Sequence, residues 1–138
     1  MNTDIAVQHA LDHLAKVGFE ALTKTETTLA AAWLLEAGVT NEGFERYFSS
    51  KRGDLASHAP EALRLIGATQ LAEIAAEANA VFGPSGPPRD RTARQNLVRA
   101  LSESAKQKFT VLEERYVSCE EDVDELLEAF LARAEETK

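Results

Sequence analysis

The sequence predicts an all-α fold, a compact bundle of about seven or eight short helices with no β-sheet. Ala and Leu dominate the composition and β-branched residues are thinly spread, which favours helix over strand. Apolar residues also recur three and four positions apart along most of the chain, as in helices that bury one face. Because 138 residues are an ordinary length for one domain, we expect residues 1–138 to form a single helical domain.

Capping residues and glycines predict where the first two helices begin and end. The first should run from Asp4 to about Val17, with Gly18 as its stop. Residues 23–26, Thr-Lys-Thr-Glu, match a capping box, in which the first and last side chains accept hydrogen bonds from free backbone amides. We expect the helix that follows to end at Gly38.

Two shorter helices are predicted in the middle of the chain. Asn41 is expected to cap the first of them, in which Phe44 and Phe48 belong to an aromatic cluster suited to a core. Pro60 fits the first turn of the second helix, where its missing amide is not needed, and Gly67 should end it.

The Pro/Gly-rich segment at residues 83–88 is the strongest helix-breaking signal in the chain. We expect a helix capped by Thr69 before this segment and a helix capped by Asp90 or Thr92 after it. The prolines remove the successive backbone amides that a phosphate cradle requires. We therefore interpret residues 83–88 as a rigid internal turn.

The last helix has the clearest pattern, and its acidic residues are the predicted binding face. Its apolar residues follow the spacing of one buried stripe. They are Val123, Leu126, Leu127, Phe130 and Leu131. Carboxylates opposite or beside that stripe form a row that can imitate the phosphates of DNA. We call this row the acidic stripe: Glu121, Asp124, Glu125, Glu128 and Glu135. The alternative is an ordinary solvated helix face.

Charge is distributed unevenly along the sequence. The chain carries 15 Lys and Arg against 23 Asp and Glu, a formal net charge of −8. Residues 1–82 contribute −5, residues 83–110 contribute +4 and residues 111–138 contribute −7. Because phosphate backbones and anionic membranes need net cationic contacts, the balance argues against direct binding to nucleic acid or to a membrane.

Three arginines, Arg89, Arg91 and Arg94, gather at the start of a predicted helix, where the helix dipole disfavours cations. We expect them to form ion pairs with the acidic C-terminal residues, because surface charges usually pair or remain solvated. An anion-binding role is the alternative interpretation.

His9 and His13 lie one helical turn apart, the spacing at which a helix can present two ligands to one zinc ion. The acid in this segment is Asp12 rather than the longer Glu of a zinc-enzyme motif, and no companion motif supplies a third ligand. We therefore interpret both as surface histidines and expect no metal, no cofactor and no catalytic residue. A metal-dependent enzyme is the alternative.

Five motifs follow one another in order: Trp-Leu-Leu-Glu-Ala at residues 33–37, Val-Thr-Asn-Glu-Gly-Phe at 39–44, Gly-Asp-Leu-Ala at 53–56, Ala-Leu-Arg-Leu-Ile-Gly-Ala at 62–68 and Gly-Pro-Pro-Arg-Asp-Arg at 86–91. From Trp33 to about Phe130, this order resembles the DMP-type DNA-mimic protein family. The resemblance indicates structural roles for Trp33, Asn41, Gly43, Phe44, Phe48, Gly53, Asp54 and Gly67.

The resemblance implies a helical fold, self-association as a homodimer, and a role in which an acidic surface occupies a DNA-binding protein. We therefore expect a non-enzymatic interaction domain whose acidic stripe binds a basic protein, in particular one of the DNA-binding type. The basic segment at residues 83–110 argues against one continuous phosphate-like surface. An immunity-type protein that neutralises a toxin is the second interpretation.

The sequence also predicts a cytoplasmic location. The longest apolar run, residues 29–35, is far shorter than the roughly 20 residues that span a membrane. We expect no secretory signal, because the N-terminal residues run directly into an amphipathic pattern. Cys119 is the only cysteine, so no disulfide forms within the chain, as is usual in a reducing compartment.

Overall fold

Helices dominate the computed structural model, which describes residues 2–136. Within that range there are eight α-helices and no strand, which confirms the predicted fold class. Two 3₁₀ segments, Phe19–Ala21 and Lys51–His58, connect some of them. None of the described helices has both the length and the apolar character that crossing a bilayer requires. The helices are α1 (Thr3–Val17), α2 (Lys24–Glu42), α3 (Phe44–Ser49), α4 (Ala59–Leu65), α5 (Thr69–Ala80), α6 (Arg91–Ala100), α7 (Glu103–Ser118) and α8 (Val123–Glu136).

Local capping signals predicted several helix ends correctly. Gly18 ends α1 with a φ of 84°, and Gly67, with a φ of 93°, follows α4. At the start of α2, the Thr23 hydroxyl accepts from the Glu26 amide at 3.1 Å, and the Glu26 carboxylate accepts from the Thr23 amide at 2.9 Å. Asp90 caps α6 through the Ala93 amide at 2.8 Å. Each of these contacts lies within one turn of sequence, where pattern reasoning works best.

The prediction that α2 ends at Gly38 is wrong. The helix continues to Glu42, and Gly38 is buried in its interior. Tyr47 of α3 packs directly on this glycine, since a Cβ atom at Gly38 would lie 2.6 Å from Tyr47 Cδ1. Gly38 therefore allows two helices to approach closely. The actual end of α2 is Gly43, whose φ of 87° suits glycine.

Asn41 does not cap α3, contrary to the prediction. It lies inside α2, where its side-chain amide donates to the Ala37 carbonyl at 2.7 Å. The amide of Phe44, at the start of α3, instead donates to the carboxylate of Glu113 in α7 at 2.6 Å. A residue far away in sequence thus supplies the cap, because α7 packs against α3.

Thr69 does not cap α5 either, since it is the first residue of the helix rather than the residue before it. The carboxylate of Glu121, in the loop between α7 and α8, accepts from the amides of Gln70 at 3.2 Å and Leu71 at 2.8 Å. These are two of the free amides that open a helix. The negative charge also lies at the positive end of the helix dipole.

Buried side chains from all eight α-helices form one hydrophobic core. Its aromatic centre is Phe44, which packs against Phe48, Phe109 and Tyr116 with ring centroids 6.0, 6.1 and 6.2 Å apart. These separations lie in the range of favourable aromatic pairs. The aromatic cluster predicted for α3 is therefore a core cluster.

Arg94 is a buried structural residue, with 0% of its surface exposed. Its guanidinium donates to the Asp54 carboxylate at 2.7 Å and to four backbone carbonyl groups. The carbonyl groups are those of Phe48, Ser50, Pro88 and Arg89. Arg94 thereby ties the turn at residues 83–88 and the chain beyond it to the end of α3.

The prediction that the three arginines pair with the acidic C-terminal residues is wrong. Arg91 and Arg94 both pair with Asp54 at 2.7 Å, and Arg89 pairs with Glu20 at 2.7 Å. The acids that compensate these cations lie in the first half of the chain. The acidic C-terminal residues are consequently left without these partners.

Candidate functional site

Carboxylates from several parts of the chain meet around Asp124, near the start of α8. Two clefts adjoin there, since Asp124 lines both. The first cleft, of about 330 Å³, lies between α1, α2 and α8. The second cleft, of about 340 Å³, lies between α2, α7 and the loop that precedes α8. We call the carboxylates that line the two clefts the acidic surface: Asp4, Glu36, Glu120, Glu121, Asp122, Asp124 and Glu128.

The packing of α8 decides which of its acids line the clefts. The predicted apolar stripe is confirmed, because its residues are buried or half-buried against the core. They are Val123, Leu126, Leu127, Phe130 and Leu131. This stripe packs α8 against α1 and α2. Asp124 and Glu128 each follow a fully buried stripe residue, and the packing holds them at the edge of that contact.

Two acids fix the loop before α8. Asp122 accepts a hydrogen bond from the Glu125 amide at 3.1 Å and so satisfies a free amide at the start of α8. Glu121 makes the two hydrogen bonds that cap α5. The loop therefore holds these two carboxylates in defined positions.

Glu36 is a half-buried carboxylate of α2 that lines the second cleft. Burial raises the pKa of Glu36, the hydrogen bond from the Tyr116 hydroxyl opposes that rise, and the charges of Asp124 and Asp122 add to it. The net result is a pKa above the ordinary value of a glutamate. The carboxylates are thus close enough to repel one another when ionised.

The acidic surface has no ion pair with a lysine or arginine of residues 2–136. Other acids of the chain do: Glu77 pairs with Arg115 at 2.8 Å and Glu42 with Arg52 at 3.0 Å. Within the described residues, the acidic surface therefore differs from these other acids in having no ion pair to a Lys or Arg.

The structure spreads the five residues of the acidic stripe over different environments. Asp124 and Glu128 line the first cleft, and Glu125 is exposed on α8 between them in sequence. Glu135 lies in the last turn of α8 and lines neither cleft. Glu121 precedes α8 and is occupied in capping α5. The acidic surface is therefore centred on the start of α8 rather than along its length.

Sequence reasoning missed Asp4, Glu36, Glu120 and Asp122 as members of this site. Asp4 belongs to the first turn of α1 and Glu36 to the middle of α2, far from α8 in sequence. Only the packing of α8 against both helices brings them together. Glu120 and Asp122 had a visible signal, because they flank Glu121 in the sequence.

His9 and His13 have different surroundings in the structure. His9 is exposed, whereas the Nδ1 atom of His13 lies 2.8 Å from the Glu26 carboxylate of α2. Over residues 2–136, no group of three or more His, Cys, Asp or Glu side chains is arranged to hold a metal ion. His13 therefore has a structural contact that joins α1 to the capping box of α2.

Most residues that carry the family resemblance lie in the core or at its connections. Phe44 and Phe48 are buried, buried Gly53 packs against Tyr47 and Arg94, and Asp54 binds Arg91 and Arg94. Gly43 lets the Glu113 carboxylate reach the start of α3, since a Cβ atom there would lie 2.6 Å from Glu113 Oε1. Trp33 differs from the others, because it is half-buried and lines the first cleft.

A larger groove, of about 710 Å³, lies between α1, α2 and the two 3₁₀ segments. Its rim carries the ion pairs Arg52–Glu42 at 3.0 Å and Arg89–Glu20 at 2.7 Å. Because these rim charges are paired with one another, the groove is not an anionic surface like the two clefts. Its apolar wall is formed by Leu11, Leu14, Phe19, Leu34 and Leu55.

Comparison with known proteins identifies the family to which the chain is related. The family model described as DMP19-like protein matches residues 20–134, which is most of the chain. DMP19 is a DNA-mimic protein family. Comparisons with curated proteins and with solved structures found no match. The chain belongs to the DMP19-like protein family.

Proposed function

We propose that this chain is a non-enzymatic, DNA-mimic-type interaction protein whose acidic surface binds the basic DNA-binding face of a partner protein. The observation that carries the proposal is the acidic surface itself: carboxylates from α1, α2, α8 and the loop before α8 line adjoining clefts without an ion pair to a described Lys or Arg. A protein face that evolved to bind phosphates is the natural complement of such a surface.

The repulsion at Glu36 supports this proposal. Its raised pKa shows that burial and the neighbouring charges of Asp124 and Asp122 destabilise the ionised carboxylate. A cationic partner relieves that interaction, because an opposite charge favours the ionised carboxylate. Partner binding therefore recovers part of the free energy that the folded protein loses by keeping Glu36 ionised.

The fixed positions of two of the acids also support the proposal. Asp122 is held by its hydrogen bond to the start of α8, and Glu36 is held by the Tyr116 hydroxyl. Binding then requires little additional ordering of these side chains, which reduces the entropic loss on association.

Displacement of DNA tests the proposal. Proteins from the native host are bound to immobilised duplex DNA, and the purified chain is then passed over the column. We expect the wild type to elute at least one protein, because the acidic surface competes with DNA for the same basic face. The triple variant Asp4→Asn, Asp124→Asn, Glu128→Gln should lose this activity, since it removes three carboxylates that line the first cleft.

The matched control removes three negative charges elsewhere. Glu45→Gln, Glu61→Gln, Glu103→Gln lie on α3, α4 and α7 and line neither cleft. We expect this variant to elute the same protein as the wild type. Equal loss in both variants would show that net charge alone is responsible, and equal retention in both would reject the acidic surface as the binding site.

A further inference from the structure

We propose that the larger groove, between α1, α2 and the two 3₁₀ segments, binds a small amphipathic anion, a molecule with an apolar body and one carboxylate. This goes beyond the proposed function, because the groove shares no lining residue with the two clefts of the acidic surface. Two observations carry the proposal: the accessible wall of the groove is apolar, and the charged groups at its rim are cationic in sum.

The wall of the groove exposes apolar atoms to solvent, whereas the two clefts of the acidic surface expose mostly polar atoms. Leu11, Leu14 and Leu34 are only half-buried, and so is Phe19. Ala15, on the same face of α1, is exposed. The space that they line, about 710 Å³, has the size of a small-molecule site. An apolar ligand body would remove this surface from water, which is favourable.

Contacts at one end of the groove fix the ring of Phe19. His58 stacks on this ring with centroids 4.5 Å apart, and the guanidinium of Arg89 lies 4.6 Å from the ring centroid. Arg89 also pairs with Glu20, the residue that follows Phe19, at 2.7 Å. This part of the wall is therefore pre-formed, so a ligand would not have to order it.

The carboxylates at the rim all have arginine partners already. Three carboxylates line the groove, and one of them, Asp54, binds two arginines. The pairs are Glu20 with Arg89, Glu42 with Arg52, and Asp54 with both Arg91 and Arg94. The arginines therefore outnumber the carboxylates here, although the net charge of the whole chain is −8.

Lys51 adds a further positive charge to the rim. Its side chain is exposed, lines the groove and has no ion pair with an acid in the described part of the chain. A carboxylate at the end of an apolar body would supply the missing anion. One negative charge suits the rim best, because a more highly charged head would also be repelled by Glu20 and Glu42.

His58 provides separate support for a positive potential at the end of the groove formed by Phe19. Burial lowers the pKa of His58, and the charge of Arg89 lowers this pKa by more than the charge of Glu20 raises it. The Arg89–Glu20 pair therefore acts on its surroundings as a net positive charge. The same potential attracts an anionic ligand.

Dye binding tests whether the groove is a site. The probes are 8-anilinonaphthalene-1-sulfonate, an aromatic body with one negative charge, and its neutral analogue N-phenyl-1-naphthylamine. We expect each dye to bind the wild type saturably and to be displaced by decanoate. Ala15→Phe should weaken both dyes at least tenfold, because the new ring fills the groove from an exposed position of α1.

The matched control is Ala132→Phe, at an exposed position of α8 outside the groove, which should bind both dyes like the wild type. Circular dichroism checks the helicity of each variant. If Ala15→Phe binds the dyes as well as Ala132→Phe does, or if decanoate displaces neither dye, the proposal is overturned.

Lys51→Glu tests the choice of an anion. It should weaken the sulfonate dye about tenfold, because it removes one exposed ion pair and adds one like-charge repulsion, each worth about threefold. The neutral dye should bind as before. Lys108→Glu, an exposed position of α7 outside the groove, changes the net charge equally and should affect neither dye. Equal weakening by the two substitutions, or none by Lys51→Glu, would reject the anionic ligand.

Discussion

The Tyr116 hydroxyl donates a hydrogen bond to the Glu36 carboxylate at 3.0 Å, and so α7 holds a half-buried acid of α2 at the acidic surface. Burial raises the pKa of Tyr116 well above its ordinary range, and the charge of Glu36 raises it further, which keeps the hydroxyl protonated as the donor. Glu36 nevertheless keeps a raised pKa of its own. The ionised acidic surface is therefore maintained at some loss of stability.

Glu36→Gln should increase the free energy of unfolding at neutral pH. A raised pKa means that the folded state binds the proton more readily than the unfolded state. Stability from this group is therefore lost as the pH rises from the unfolded pKa, near 4.5, through the higher folded pKa. Glutamine keeps an oxygen that accepts from Tyr116 but has no charge. Urea unfolding at pH 7 measures the gain.

The stability gained by Glu36→Gln should disappear at acidic pH. Below about pH 4 the wild-type Glu36 is itself protonated, and the two proteins then have similar stability. Glu45→Gln, an exposed acid of α3, serves as the control and should change little. A Glu36→Gln protein that is less stable than the wild type at pH 7 would contradict the assigned repulsion.

Glu121→Ala should destabilise the protein by about 1 kcal/mol, the typical loss when a helix N-cap is removed. Its carboxylate satisfies the amides of Gln70 and Leu71 at the start of α5. Chemical denaturation measures the effect, and Glu120→Ala, the exposed neighbour in the same loop, is the matched control. If both variants lose the same stability, Glu121 has no special role as a cap.

Arg94→Met should be strongly destabilising, by about 3–5 kcal/mol, because the removal of one partner leaves a buried network unsatisfied. The lost donor serves Asp54 and four backbone carbonyl groups. Arg91→Met is the control: Arg91 pairs with the same Asp54 but is 44% exposed, so a loss below about 1 kcal/mol is expected. Equal losses in the two variants would show that burial of Arg94 contributes nothing.

Gly38→Ala should destabilise α2, although the same change in an exposed helix interior is usually stabilising. The new Cβ would lie 2.6 Å from Tyr47 Cδ1, so the loss expected from overpacking is about 1–3 kcal/mol. A double-mutant cycle with Tyr47→Leu provides the check. The alanine should be tolerated better in the Tyr47→Leu background, and an unchanged loss there would place the strain somewhere other than at Tyr47.

Sequence reasoning succeeded where the cause of a structural feature lies within about one helical turn. The capping box at Thr23 and Glu26 and the stop at Gly18 are of this kind. It failed at Gly38, because a glycine that ends a helix and a glycine that admits a tyrosine ring look the same in sequence. It also failed at Asn41, since the actual cap of α3 comes from Glu113 in another helix.

At the candidate site too, sequence reasoning succeeded within one helix and failed where separate helices meet. The spacing of the last helix identified Asp124 and Glu128 correctly as acids beside a buried stripe. Asp4 and Glu36 escaped prediction, because their proximity to α8 depends on how three helices pack. The arginines were assigned to the wrong acids for a similar reason, because folding brings Asp54 and Glu20, which are distant in sequence, next to them.

The salt dependence of partner binding tests the central claim most directly. The affinity of a protein that the chain elutes from DNA is measured between about 50 and 200 mM salt, the range over which phosphate-type contacts weaken steeply. The measurement compares the wild type with the Asp4→Asn, Asp124→Asn, Glu128→Gln variant and with the Glu45→Gln, Glu61→Gln, Glu103→Gln control. The account predicts a steep loss of affinity with salt for the wild type and the control, and a weaker, shallower response for the variant of the acidic surface. Binding that is insensitive to salt and equal in all three proteins would contradict it.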